Sequence, residues 1–184
     1  MPGFSQIAFT DAVKAIQEKA GSRASYARME ARDDGTCRLD PEAAEFIESR
    51  DSFYLSSVNV EGWPYIQHRG GPKGFLHVLD DKHIAFADYG GNRQYVSLGN
   101  LEGNDRVALF LMDYPSRSRL KLLGRARAVP LAEFDDALKK LAPPQGYPAK
   151  VERAIVIEIA GWDWNCPQHI TPRYTIEELQ ALNA

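Results

Sequence analysis

The chain has 184 residues, 44% of them hydrophobic and 26% charged, with a formal net charge of −3. A chain of this length buries roughly 70% of its unfolded surface and needs no disulfide or metal staple. The composition excludes wholesale disorder, collagen-like repeats and coiled coils, and the slight acidity disfavours general nucleic-acid binding. No apolar run approaches the roughly 20 residues needed to span a bilayer. The opening Met1-Pro2-Gly3-Phe4-Ser5 lacks the basic patch and apolar stretch of a secretion signal. The expectation is a cytoplasmic protein with no membrane partner. Cys37 and Cys166 stand far apart and outside any CxxC pair, so neither a disulfide framework nor a metal site follows.

Residues 1–50 read as an N-terminal helical extension and 51–184 as the main domain. Thr10 caps a predicted helix running to Ala20, which Gly21 ends. Arg28 to Cys37 is polar and carries a turn signal, Asp33-Asp34-Gly35. Asp40-Pro41-Glu42 supplies an N-cap, a proline at the first helical position and an acidic first turn, which predicts a helix over Glu42 to Ser49. From Ser52 the rhythm turns to short strands: Phe53 to Val60, Tyr65 to Arg69, Phe75 to Leu79 and His83 to Asp88, each stopped by turn residues. This series favours an antiparallel meander. A short helix is predicted over Asn92 to Leu101, then a strand from Arg106 to Asp113 with both faces buried.

Arg119 to Val129 carries Arg119, Lys121, Arg125 and Arg127 on one parity and small or apolar residues on the other. Alternate strand residues face opposite ways, so one face is basic and the other fits a crowded barrel interior. A helix is predicted from Pro130 through Leu141, a last strand from Arg153 to Ile159, and an aromatic-rich loop at Trp162 to Pro167. Thr175 and Glu178 form a capping box for a terminal helix. About seven strands with few intervening helices give a mainly β (α+β) class: a closed or split β-barrel with peripheral helices.

Three segments carry candidate chemistry. Arg69-Gly70-Gly71-Pro72-Lys73-Gly74 joins two strands; glycines admit a ligand close to the backbone, and the flanking cations suit a phosphate. Taken alone, it reads equally well as a solvated hairpin. Asn92-Arg93-Gln94 opens a predicted helix, whose unpaired amides and positive dipole end attract anions, although simple capping by Asn92 is the commoner outcome for such a segment alone. The basic strand is the third: carboxylates on a neighbouring strand are at least as good partners for Arg125 and Arg127, and a bound anion is best placed at Arg119 and Lys121. Trp162, Trp164, Cys166 and His169 stand in a loop able to wall a planar ligand or simply to pack. Ser97 lacks the Gly-x-Ser-x-Gly context of a hydrolase nucleophile.

The segments Asp51 to Ser56, Gly62 to Gly71, Ala87 to Gln94, Leu98 to Leu101 and Leu122 to Ala126 together resemble the FMN-binding split barrel of the pyridoxamine 5′-phosphate oxidase family. The ending Asn165-Cys166-Pro167-Gln168-His169-Ile170 is similar to that of a bacterial oxidase-related subgroup. The resemblance implies a homodimer with FMN at the subunit interface and an oxidoreductase transferring hydride at flavin N5 to or from a small-molecule substrate. It implies that Arg69, Lys73, Asn92 and Arg93 hold the phosphate, that Gln67 and His68 run beside the ring, and that Ala87 and Asp88 line the ribityl chain. Arg119 or Lys121 would come from the other subunit, with Trp164, His169 and Arg173 closing the site and His169 the candidate acid or base. The C-terminal segment does not reproduce the Arg-x-x-His motif by which the biosynthetic oxidases grip pyridoxamine phosphate, so that activity is not implied. The rival expectations are a non-catalytic flavin carrier, an F420-dependent reductase on the same barrel, and a barrel without flavin.

Overall fold

The computed structural model of the chain describes residues 3–33, 35 and 37–182. Seven strands form one sheet: β1 (Ser52–Val58), β2 (Pro64–Gly70), β3 (Leu76–Val78), β4 (His83–Tyr89), β5 (Arg106–Asp113), β6 (Ser118–Pro130) and β7 (Val151–Trp164). Their order is β2-β1-β5-β6-β7-β4-β3, with every pairing antiparallel. The expected meander is therefore broken. The β1–β2 and β3–β4 hairpins lie at opposite ends of the sheet, and β1 pairs with β5 instead of continuing the series.

The sheet curls until its ends meet. β1 and β4 are four steps apart in strand order, about 19 Å in a flat sheet. Yet the Phe53 and Phe86 ring centroids are 5.2 Å apart. One apolar core takes Phe53 and Leu55 from β1, Leu76 from β3, Ile84 and Phe86 from β4, Leu109 and Leu111 from β5, Leu120 and Leu122 from β6, and Ile155, Ile157 and Ile159 from β7. No ladder joins β2 to β3, so the barrel is split along that line. A second cluster covers the outer face of β4 and β7, where Ala85, Ala87, Ala154 and Val156 meet Leu138 and Leu141.

The helices are peripheral: α1 (Phe4–Ala8), α2 (Asp11–Lys19), α3 (Arg23–Arg32), α4 (Pro41–Glu48), α5 (Val96–Gly103), α6 (Asp136–Lys139) and α7 (Ile176–Leu182). The cap signals are realised. Thr10 and Asp40 accept from the amides of Val13 and Ala43, and Thr175 and Glu178 exchange the two bonds of a capping box. Ala43 and Ile47 of α4 are fully buried in the main core. No helix among the described residues is long and apolar enough to cross a membrane.

Other elements depart from expectation. The polar stretch that begins at Arg28 is the end of α3, held by Glu30, which takes Lys14 at 2.8 Å and Arg23 as ion partners. Its expected turn includes Asp34, outside the described residues. β5 buries Val107, Leu109 and Leu111 but leaves Ala108, Phe110 and Met112 partly exposed, so only one of its faces is fully covered. The segment after Pro130 does not form one helix. It makes a 3-10 turn at Leu131–Glu133, extends at Phe134, and restarts where Asp135 caps α6, an arrangement that carries Leu138 and Leu141 into the second cluster. Trp162, Asp163 and Trp164 belong to β7 rather than to a loop, because they pair with Leu122, Lys121 and Leu120.

Candidate functional site

At the split, inward-facing rows from three strands end in charge. On β2 the row is Tyr65, Gln67, Arg69; on β4 it is Ile84, Phe86, Asp88; on β7 it is Ile159, Ile157, Ile155, Arg153. Asp88 Oδ1 accepts from Arg69 Nη1 at 2.7 Å, and Asp88 Oδ2 accepts from Arg153 Nη1 at 2.8 Å. β2 and β4 are five steps apart in strand order, so the Arg69–Asp88 pair spans the split itself. A register shift between Asp88 and Tyr89 turns the end of β4 at this point, as bulges do where a strand must re-aim side chains.

Arg69 and Asp88 floor a cavity of about 250 Å³, with Arg153 bonded to Asp88 behind it. Gln67 and Arg69 form one wall, Asp88, Tyr89 and Glu152 another, and the segment from Gly91 to Leu98 the rim. That rim is unusual backbone. Arg93 and Tyr95 both take left-handed conformations, with φ of 59° and 53°, a region L-residues enter sparingly. Asn92 Oδ1 accepts from the Gln94 amide at 3.1 Å and fixes the turn. The predicted helix therefore starts at Val96, not Asn92. Its N-cap, Tyr95, gives no side-chain bond to the first-turn amides. Ser97 is buried and donates to Gln67 Oε1 at 3.0 Å, tying the start of α5 to β2 and leaving the serine a structural role.

The electrostatics favour an anion. Arg69 is 18% exposed by side chain, and its Nε is buried without a hydrogen-bond partner among the described residues. A buried guanidinium N–H left unpaired is costly. Arg153 also donates to Glu152 Oε2 at 3.0 Å and lies over the Tyr95 ring at 5.3 Å. Burial works against the Arg153 charge, but the hydrogen bond and attraction of Asp88, with Glu152 behind them, outweigh it and hold the guanidinium above the usual arginine range. Burial, and then Tyr147, push the Tyr89 phenol up, where its ring packs 5.6 Å from that of Tyr147. Among the described residues, no group of His, Cys, Asp and Glu is arranged to hold a metal ion.

Of the residues singled out in the sequence, Gln67, Arg69, Asp88, Asn92 and Arg93 come together here. His68 lies on the opposite face of β2, against the Tyr54 ring at 5.7 Å. Ala87 is buried in the second cluster, on the face of β4 away from the cavity. Lys73 and Arg173 share a separate depression with Asp51 and Asp113, where Arg173 lies 4.9 Å from the Tyr114 ring. Arg119 and Trp164 share a third groove with Arg50 and Phe46. There Arg119 Nη2 donates to the Cys166 carbonyl at 2.7 Å, and its Nε is buried with no partner among the described residues. Lys121 is paired with Asp163 at 2.7 Å and covered by the Phe4 ring. His169 sits in an exposed loop and does not line the Arg69 cavity. Arg125 takes its bland role, bonded to both oxygens of Asp105 at 2.7 and 2.9 Å.

Sequence reading missed Arg153, Glu152 and Tyr95. A signal for Arg153 was present: it shares the parity of Ile155, Ile157 and Ile159, so it had to face inward with them.

The model of the pyridoxamine 5′-phosphate oxidase family matches residues 39–166. The chain belongs to that family. No curated protein matches the chain at a significant level. Among solved structures, HupZ of Group A Streptococcus is 18% identical with a TM-score of 0.54, covering 74% of this chain and 99% of its own. A Clostridium acetobutylicum protein related to general stress protein 26 is 19% identical (TM-score 0.47; 75% of this chain, 94% of its own). An FMN-binding protein from Syntrophomonas wolfei is 12% identical (TM-score 0.46; 81% and 97%). At 18% identity the likeness to HupZ speaks for the fold alone.

Proposed function

We propose that this family member is a cytoplasmic homodimer that binds FMN with its phosphate in the Arg69 cavity and acts as an oxidoreductase on a small molecule. The observation that carries the reading is one cavity that collects Arg69, Arg93 and the start of α5, whose first-turn amides take no side-chain bond from Tyr95. Those donors fit a phosphoryl group. It carries nearly two negative charges, and each charge-assisted bond contributes about 1.5–3 kcal/mol. Arg69 and Arg93 together thus supply much of the roughly −8 kcal/mol that micromolar binding requires. Gln67, fixed by Ser97, offers an amide beside the cavity, and Asp88 and Glu152 suit the ribityl hydroxyls.

FMN, when bound, supplies hydride transfer at its N5. The chain's residues hold and orient it. Support for the dimer comes from the outer face of β1 and β2, where Ile66 is 64% exposed and Tyr54 39%, with Trp63 and Val60 still more exposed at the hairpin tip. A second copy covering that face would bring its own cationic and aromatic groups toward the open side of the cavity. The groove holding Arg119 and Trp164 is the best equipped to contribute, because it joins a cation and an aromatic ring. Lys121 is the weaker candidate cation, since Asp163 already neutralises it.

The test is a visible spectrum of the gently purified protein, followed by titration with FMN and gel filtration. The expected result is a dimer with a flavin band that survives dialysis and is released as FMN on denaturation. A colourless protein that takes up no added FMN overturns the reading. Reduction of the bound flavin by a nicotinamide donor, with turnover, separates an enzyme from a flavin carrier.

A further inference from the structure

The flavin reading leaves one charged residue of the split unused. Arg153 sits at the start of β7, 18% exposed by side chain, with one guanidinium nitrogen on Asp88 and the other on Glu152. We propose that Arg153 is the positioning residue of the anion cavity: it neutralises Asp88, so that Arg69 retains charge for a phosphoryl ligand. This inference rests on the FMN reading for the identity of the ligand.

The charge inventory makes the case. Arg69 and Arg93 line the cavity with Asp88 and Glu152, and Arg153 stands behind them bonded to both carboxylates, which leaves one net positive charge around the site. Without Arg153 the balance is zero, and a dianion would enter a site with no net charge to attract it. Geometry adds a second effect. Each Asp88 oxygen is now committed to a different arginine, Oδ1 to Arg69 and Oδ2 to Arg153. With Arg153 gone, both oxygens are free to clasp Arg69 in the bidentate manner that guanidinium and carboxylate favour. Arg69 would then be turned toward Asp88 and away from a ligand. Asp88 is 8% exposed, so water screens neither effect well. Arg153 also lies under the Tyr95 ring and holds Glu152, whose Oε2 is 3.4 Å from the Tyr95 hydroxyl, so it supports the left-handed rim that presents Arg93.

The experiment compares the full-length wild type with Arg153→Gln, Arg153→Lys, Asp88→Asn and the double variant Arg153→Gln/Asp88→Asn. Each is titrated with FMN and riboflavin by fluorescence and with inorganic phosphate by thermal shift. Arg153→Gln is expected to weaken FMN by roughly 10–100-fold while riboflavin, which lacks the phosphate, changes far less. Arg153→Lys keeps a cation and falls between. Adding Asp88→Asn to Arg153→Gln restores most of the lost FMN affinity, because the uncompensated carboxylate is gone and the amide oxygen that replaces it still accepts from Arg69. A residue that merely held the fold would lower both flavins together and show no such rescue. Unchanged FMN affinity in Arg153→Gln, or a double variant no better than the single one, overturns the inference while leaving the FMN reading intact. If the wild type takes up no FMN, the FMN reading fails. The inference then survives only if phosphate stabilises the wild type and not Arg153→Gln, and it is overturned otherwise.

Discussion

The barrel holds two interiors of opposite character within one set of strands. Phe53, Phe75 and Phe86 pack ring against ring, with centroids 5.2–6.4 Å apart. Arg69, Asp88 and Arg153 form the charged cluster at the split, and the Arg69 guanidinium is only 5.8 Å from the Phe86 ring. On β4, a step of two residues from Phe86 to Asp88 passes from one to the other. The apolar part is held by shape and area removed from water, which are non-directional and collective. The ionic part is held by a few directed bonds whose loss exposes an uncompensated charge. The contrast teaches that stability and anion recognition are assigned to different stretches of the same strands, and should separate under mutation.

The largest expected effect lies in the aromatic interior. Phe53→Ala, at a side chain 1% exposed, should cost about 3–5 kcal/mol in urea unfolding. The ratio of FMN to riboflavin affinity in the surviving folded protein should not move; a changed ratio would show that the two interiors are coupled. Arg69→Ala is the mirror experiment. It should weaken FMN by roughly 10–100-fold in a fluorescence titration and riboflavin much less. Its cost to stability is expected to be smaller than that of Phe53→Ala, because Asp88 keeps Arg153 as a partner. Equal loss of both flavins would remove the phosphate from this cavity. The smallest effect sharpens the view of β3, which borders the split. Burial, above all, holds the His77 imidazole below its ordinary 6.5, with Glu48 opposing and Lys140 assisting. A base with a depressed folded pKa contributes stability that is complete above pH 6.5 and is lost as the pH falls below it. His77→Gln should flatten the melting temperature between about pH 7.5 and 5.5. An unaltered slope would assign the acid sensitivity to other groups.

Local signals carried the sequence reading furthest. Thr10, Asp40 and the Thr175–Glu178 pair specify helix starts through bonds to amides a few residues away, and those starts are where they were expected. The parity of β6 was equally legible, with Leu120, Leu122, Gly124 and Ala126 inward and Arg125 and Arg127 exposed. What failed depended on distant partners. Trp-Asp-Trp-Asn has the composition of a loop, but pairing with β6 as far as Leu120 extends β7 to Trp164. α3 has no apolar stripe, and its charged contacts to α2 were invisible in a linear reading. The break after Pro130 follows from a cluster on β4 and β7 that pulls Leu138 and Leu141 inward. At the site, Arg69 and Arg93 could be named because each stands beside glycines or a helix start. Arg153 could not be paired with Asp88, because nothing local links residues 65 positions apart.

That separation also bears on how the molecule assembles. The β5–β6 hairpin closes a short loop and can form early. The Arg153–Asp88 bond requires β7 to travel back and register against β4, a closure whose entropic cost grows with the intervening chain and which slows folding. The anion cavity therefore exists only once β4 and β7 have paired, and a ligand that occupies it acts as a seal on that closure.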